Sequence, residues 1–252
     1  MRDSKERFGD RVEHYVKYRP GYPAEALDFL YDELGFGDAE LIADIGAGTG
    51  IFTKLLLGRG SAVTAVEPNG EMRGAAEAAL AGWDRFRAID GSAERTTLPD
   101  GSVDNIVCAQ SFHWFDIPGA KREFARILRD NRYVALVWNR RKPDADPFAQ
   151  EYERLLQLYS RDYEVVKHDK VEDGQLESFF RDGKFDKRSF PNRQTFDAEG
   201  LKGRAMSSSY CPLPGEPNFE PLMAALDAAF ERWQRDGAVH FEYETNVYYG
   251  FV

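Results

Sequence analysis

Five short apolar runs, separated by stretches of helical periodicity, constrain this chain more than any other feature. They are Leu41-Ile42-Ala43-Asp44-Ile45, Ala62 to Val66, Phe86 to Ile89, Val103 to Cys108 and Tyr133 to Trp138. Runs that are apolar on both faces suit strands of a parallel sheet covered by helices. Between them Met72, Ala75, Ala76, Ala79 and Leu80 form one stripe of a helix, and Phe124, Ile127 and Leu128 repeat that spacing. Strand and helix in alternation require right-handed crossovers, and hence a doubly wound α/β sheet. At 252 residues and 42% hydrophobic, the chain can bury a core of one large domain, and a wholly disordered chain is excluded.

After Trp138 the character changes. Arg140-Arg141-Lys142-Pro143-Asp144-Ala145-Asp146-Pro147 reads as a polar, proline-bounded loop, with a lesser reading of its basic run as a greeting for an acidic substrate. Phe148, Tyr152, Leu155, Leu156 and Tyr159 mark one helix; Leu222, Leu226, Ala229, Phe230 and Trp233 mark another. From Val239 to Phe251 apolar residues alternate with His240, Glu242, Glu244 and Asn246, the pattern of a long half-buried strand after an Asp236-Gly237 turn. The expected organisation is one structural domain: a core over 1–139, a helical elaboration over 140–235, and a final strand over 236–252 that returns to the sheet.

Charge and cysteine usage narrow the function. Lys and Arg number 33 against 43 Asp and Glu, a net charge of −10, which disfavours a nonspecific grip on nucleic acid or anionic membrane. Cys108 and Cys211 permit one disulfide at most, and the four scattered histidines (His14, His113, His168, His240) give no local support to a metal site. The charged amino terminus is followed by no apolar signal region, and no run of about 18 apolar residues exists. A soluble, cytoplasmic protein without metal is the expectation; oligomeric state stays open.

The chemistry gathers at Asp44-Ile45-Gly46-Ala47-Gly48-Thr49-Gly50, directly after the first run and opening a helix. Glycines there let a ligand lie against bare backbone. Glu67 closes the second run, 21 residues beyond Gly46, where a carboxylate can accept hydrogen bonds from both ribose hydroxyls. The pattern departs from a dinucleotide fingerprint, since Ile51 stands where a Gly or Ala is wanted, and no Gly-Lys-Ser/Thr phosphate loop is present. Asp44 would repel a diphosphate and could balance an ammonium group, directly or through water.

With these residues the sequence resembles the class I S-adenosylmethionine-dependent methyltransferases, particularly the subgroup with ubiquinone/menaquinone-biosynthesis and trans-aconitate methyltransferases. The resemblance is detailed from about residue 8 to 138 and fainter beyond. It implies a mostly parallel, seven-stranded Rossmann-like sheet with an antiparallel C-terminal strand, and S-adenosyl-L-methionine as cofactor. By this likeness Gly46, Ala47, Gly48 and Gly50 with Asp44 form the glycine motif, and Glu67 with Pro68 the ribose end. Gly91-Ser92-Ala93-Glu94 is similar to the adenine-side loop: Ser92 would offer its side chain to the adenine amino group and the Ala93 N–H would meet a ring nitrogen. Gln110-Ser111-Phe112-His113-Trp114-Phe115 resembles the stretch beside the methionine part. Tyr15-x-x-Tyr18-Arg19-Pro20-Gly21-Tyr22-Pro23 resembles a lid segment, with Tyr18 covering the cofactor and Arg19 pairing the methionine carboxylate.

His113 is the catalytic candidate, as a general base or an orienting group. Tyr15, Phe112, Trp114 and Tyr210 are the candidates for the acceptor pocket, and Cys108 reads as core. The expected function is methyl transfer to a small molecule. The rivals are a nicotinamide-dependent oxidoreductase on a similar fold, a non-catalytic S-adenosylmethionine-binding protein and, disfavoured by charge, a nucleic-acid methyltransferase.

Overall fold

The computed structural model describes residues 18–160, 163 and 173–252. Within them seven strands form one sheet: β1 (Leu41–Ile45), β2 (Ala62–Val66), β3 (Phe86–Ile89), β4 (Asn105–Ala109), β5 (Val134–Arg141), β6 (Asp186–Phe196) and β7 (Val239–Gly250). The spatial order is β3-β2-β1-β4-β5-β7-β6. The first five are mutually parallel, and β7 runs antiparallel between β5 and β6. The helices are α1 (Ala24–Glu33), α2 (Ile51–Gly58), α3 (Gly70–Leu80), α4 (Ile117–Ile127), α5 (Pro147–Tyr159), α6 (Asp173–Phe179), α7 (Ala198–Met206) and α8 (Phe219–Trp233).

Why these segments become these elements is visible locally. Asn69, Asp116, Asp146 and Asp197 each precede a helix and accept its first free N–H groups through their side chains. Pro118 and Pro147 sit in first turns, where the missing donor costs nothing. Alternation along the central strands splits the core into two faces. Ala43, Ile106, Val134, Leu136 and Trp138 pack with Phe112, Phe124, Phe179 and Phe180 on one side. Ile42, Val107, Ala135 and Val137 pack with Leu27, Phe29, Leu30 and Leu56 on the other. A third cluster joins α5, α7 and α8 to the start of β7, through Tyr152, Leu156, Leu201, Leu226 and Phe241. Cys108 and Cys211 are both buried, and the disulfide that the sequence permits is not formed. Among the described residues no helix is long and apolar enough to cross a membrane.

Two expectations are corrected. The stretch from 140 is not all loop: β5 continues through Arg140 and Arg141, because β7 supplies partners as far as Arg141↔Tyr243. The elaboration is also not purely helical. It contains β6, an edge strand whose residues from Asp186 to Ser189 are exposed and which includes Pro191. A strand with one free edge has no buried alternation to announce it. The Asp236-Gly237 turn is present with both residues at positive φ (53° and 76°), as a tight hairpin requires.

The loop after β3 is tied to α4 by one carboxylate. Glu123 accepts from the Thr96 N–H (2.7 Å) and hydroxyl (2.6 Å), and pairs with Arg126. The Arg126 hydrogen bond foremost, with those from Thr96, holds its carboxyl down to about 2. A depressed carboxyl contributes stability that is complete above the unfolded value and is lost as pH falls through the folded one. Glu123→Gln is therefore expected to remove on the order of 3 kcal/mol at neutral pH. The loss should shrink between about pH 4.5 and pH 2, read by urea unfolding across that range.

Candidate active site

The order of the parallel strands reverses between β1 and β4, and an open sheet of this kind binds ligands in the crevice at that point. A cavity of about 340 Å³ opens there. Its walls come from the carboxyl ends of successive strands: Gly46 to Thr49 after β1, Glu67 to Asn69 after β2, and Ser92 to Glu94 after β3. Gln110, Ser111, His113 and Trp114 follow β4, and Trp138, Asn139 and Arg141 belong to β5. Arg19 closes it from the amino-terminal side, and Arg204, Ser209, Tyr210 and Tyr243 from the elaboration.

The turn after β1 is pinned from both sides. Gly46 and Ala47 donate their N–H groups to the Val66 carbonyl (2.8 and 3.3 Å), and Gly50 donates to Ala47 (3.0 Å). Gly48 donates to Glu67 Oε2 (2.9 Å), while Glu67 Oε1 accepts from Asn69 N–H (2.8 Å). All four of these glycine-turn donors thus serve protein acceptors, and a pyrophosphate would find them occupied. At Gly46 a Cβ would stand 2.5 Å from that of Ser111, and φ is +70°, so no other residue fits.

Two carboxylates lie under this turn. Asp44 is fully buried; Oδ2 accepts from the Thr53 hydroxyl (2.6 Å), and Oδ1 has no partner. Burial above all, with the charge of Glu67 added and the Thr53 hydroxyl opposing, pushes Asp44 up to about 7. Burial likewise raises Glu67, against the pull of the Asn69 and Gly48 N–H groups. Thr49 Oγ1, Gln110 Oε1 and Arg141 Nη1, all on cavity-lining residues, are also buried without a partner. Unmade hydrogen bonds of this kind are rare in native interiors, and their concentration at one place marks a ligand site.

The structure brings Arg19, Gly46, Ala47, Gly48, Glu67, Pro68, Ser92, Ala93, Glu94, Gln110, His113, Trp114 and Tyr210 to one cavity. It does not bring Tyr18, Asp44, Gly50 or Phe112 to the wall. Tyr18 is buried against Gly203, where a Cβ would meet its ring at 2.2 Å. Gly50 serves packing, since a Cβ there would lie 2.9 Å from Leu80 Cδ1. Phe112 is wholly buried, edge-on to Phe115 and Phe179. Tyr15 lies outside the described residues. His113 sits in a single 3-10 turn (Phe112–Trp114), with its ring 5.0 Å from that of Trp138. Gln110 holds a left-handed backbone (φ 59°), maintained by its N–H bond to Val137 and by the Ser111 hydroxyl donating to Ile45. Among the described residues no group of three or more metal-ligating side chains gathers.

Comparison with known proteins agrees with this geometry. Residues 43–136, from β1 to β5, match the family model described as a methyltransferase domain. That match runs over 94 of the 252 residues. The chain is similar to an uncharacterized methyltransferase of Mycobacterium tuberculosis, 42% identical over 140 residues, which are 56% of this chain and 55% of that protein. It is also similar to an uncharacterized methyltransferase-like protein of Schizosaccharomyces pombe, 35% identical over 159 residues, 62% of this chain and 59% of the other. The match thus spans little more than half the length of these curated relatives. Among solved structures, a candidate type II methyltransferase from Anaeromyxobacter dehalogenans shares the fold with a TM-score of 0.64 and 21% identity, covering 93% of this chain and 98% of its own. Geranyl diphosphate C-methyltransferase from Streptomyces coelicolor, solved with Mg2+, geranyl diphosphate and S-adenosyl-L-homocysteine, superposes with a TM-score of 0.52 at 16% identity over 91% of this chain and 80% of that one. The chain thus shares its fold with these solved methyltransferases.

Asp44 carries a testable signature of a site built for a ligand. Its folded value of about 7 lies above the ordinary 3.8, so the folded state prefers the protonated form. The stability that the neutral carboxyl provides is therefore complete at low pH and lost as pH rises from about 3.8 towards 7. Asp44→Asn should match the parent in stability near pH 4 and exceed it, by a few kcal/mol at most, at pH 8, as measured by thermal unfolding without ligand.

Proposed function

We propose that this protein transfers a methyl group from S-adenosyl-L-methionine to a small-molecule acceptor by in-line displacement. The observation that carries the reading is the pair of buried carboxylates, Asp44 and Glu67, beside a glycine turn whose N–H groups are occupied. Negative potential at that point suits a ligand bearing ammonium and sulfonium charges and repels a pyrophosphate, which weighs against the nicotinamide rival. The orphaned Asp44 Oδ1 and the bare surface of the turn fit such a ligand.

Each residue has a distinct task in this reading. Glu67 uses one lone pair of each oxygen on backbone N–H groups, which fixes its orientation and leaves the others for the ribose hydroxyls. Ser92 and Ala93 lie at a tight turn closed by the paired Ser92 and Arg95 backbones (3.0 and 3.2 Å), and meet the adenine. Arg19, steadied by its bond to the Ser207 carbonyl (3.0 Å), pairs the methionine carboxylate. Asp44 acts on the amino end through the field beneath the turn. Gln110, held by its side-chain bond to the Asn139 carbonyl (3.3 Å), borders the methionine part.

When bound, the cofactor supplies a methyl carbon already activated by the adjacent sulfonium. What remains for the protein is alignment and exclusion of water. Holding donor and acceptor in line removes ~7–11 kcal/mol of encounter entropy from the barrier. His113, which lines the cavity after β4, serves in this reading as general base for an acceptor that must lose a proton. Trp114 and Tyr210 border the acceptor space.

Calorimetric titration tests the donor half. S-adenosyl-L-homocysteine is expected to bind, and Glu67→Gln to weaken it by about 2 kcal/mol, the worth of hydrogen bonds to a charged group. Absence of heat with this nucleoside, or preferential binding of a nicotinamide dinucleotide, would overturn the assignment.

A further inference from the structure

The end of the cavity away from Glu67 is built around two arginines that the donor reading does not use. Arg204, on α7, is only 7% exposed. Its Nε donates to Tyr243 Oη (3.3 Å), and its Nη1 to the hydroxyls of Ser207 (3.3 Å) and Ser208 (2.9 Å). All three partners are neutral oxygens; among the described residues no carboxylate pairs with it, and Nη2 makes no hydrogen bond. Arg141, on β5, has an ion pair: its Nη2 donates to Glu153 and, at 3.3 Å, to Tyr163 Oη. Its Nη1 is buried and donates to nothing. The Arg141 guanidinium is fixed over the rings of Tyr152 (5.0 Å) and Phe241 (5.8 Å).

Both arginines line the same cavity, and the fold holds them together. Arg141 and Tyr243 stand directly opposite on antiparallel β5 and β7, and so share a face of the sheet. The Tyr243 hydroxyl accepts from Arg204 and donates to Gln194 (2.9 Å), which locks the bridge. Among the described residues, two permanently charged guanidiniums thus stand at this end with one carboxylate, Glu153, which pairs with Arg141 alone. Among the described residues, a single positive charge is left unbalanced there, inside a protein whose net charge is −10. Taking an ion out of water costs several kcal/mol unless a partner repays it, and no such partner stands beside Arg204 in the described chain.

Resting on the donor reading above, we propose that the methyl acceptor is an organic acid whose carboxylate is held by Arg204, with the orphaned Nη1 of Arg141 as second donor. One unbalanced charge matches one carboxylate, and the planar guanidinium fork matches its two oxygens. A neutral quinol leaves the charge uncompensated, and a diphosphate brings more negative charge than this end can balance. Tyr163, Tyr210 and Tyr243 give the remainder of the acceptor an aromatic lining with hydroxyl edges.

The experiment is a thermal-shift and calorimetric comparison on protein saturated with S-adenosyl-L-homocysteine. The probes are short-chain and aromatic carboxylic acids, each beside its primary amide, with phenyl phosphate and geranyl diphosphate alongside. Carboxylates are expected to stabilise the protein where their amides do not. Arg204→Met should weaken the carboxylates on the order of tenfold or more. The same variant should leave S-adenosyl-L-homocysteine affinity unchanged and raise the melting temperature without ligand, because an unpaired buried charge is gone. Glu153→Gln should act in the opposite sense, tightening carboxylate binding and lowering the melting temperature. Amides that match their acids, phosphoryl compounds that exceed them, or no response to any probe would each overturn the proposal. So would an Arg204→Met protein that keeps its carboxylate affinity. These outcomes are distinct from failure of the donor reading, which shows as an absence of S-adenosyl-L-homocysteine binding before any acid is added.

Discussion

The eight-residue antiparallel ladder between β5 and β7, from Val134↔Gly250 to Arg141↔Tyr243, is the contact on which the rest of the molecule depends. The parallel strands β1 to β4 end close to the glycine turn, and alone they would build only the nucleoside half of a site. β5 continues beyond them because β7 meets its backbone donors and acceptors residue for residue. That extension carries Trp138, Asn139 and Arg141 out over the crevice. It also gives α5, α7 and α8 a sheet surface to pack on, through Phe241 and Tyr243. Asn139 then joins the parts: its amide donates to the Gly21 carbonyl (3.0 Å), and its side-chain oxygen accepts from Thr245 and Asn192.

Electrostatically the cavity has two unlike ends. Under the turn, Asp44 and Glu67 are buried carboxylates driven towards their neutral forms; at the far end, Arg204 is a buried cation with no counterion among the described residues. Neither arrangement favours the empty protein. Buried charges that are poorly compensated are a stability cost, and natural proteins concentrate such costs where function needs them. The opposed signs also orient a pair of ligands, since a cationic donor and an anionic acceptor would each be repelled from the other's place.

Much of this was legible in the chain. The runs at Leu41 to Ile45, Ala62 to Val66 and Phe86 to Ile89 are strands with those same limits; the first two are buried along almost their whole length and announce themselves by continuous apolar sequence, while the third, with Arg87 exposed, gives a weaker signal. The glycine turn and Glu67 were readable because they are local and ordered along one βαβ unit. Other parts left no such trace. β6 is an exposed edge whose charged residues mimic a loop, and Arg141 sits in a basic run that reads as solvated until its pairing with β7 is known. Arg204 lies on a short helix with little amphipathic contrast, and only tertiary packing reveals that its neighbours are tyrosines and serines rather than water. Phe112 and Tyr18 failed in the other direction. The resemblance puts Tyr18 over the cofactor and Phe112 beside the acceptor, whereas each ring turns into the core.

The outermost strand has a consequence beyond its part in the ladder. Among the described residues β6 pairs with β7 alone; it includes Pro191, which has no N–H to offer a newcomer, and Lys187, Arg188 and Arg193, each more than 40% exposed and paired with Glu244, Glu33 and Glu242. A second copy approaching side by side would meet a solvated, charged strand and a missing donor midway along the row. At the opposite border β3 is only four residues long, too brief to template a neighbour. The sheet is thus terminated at both borders by chemistry and by length, and this protects a seven-stranded surface from open-ended polymerisation.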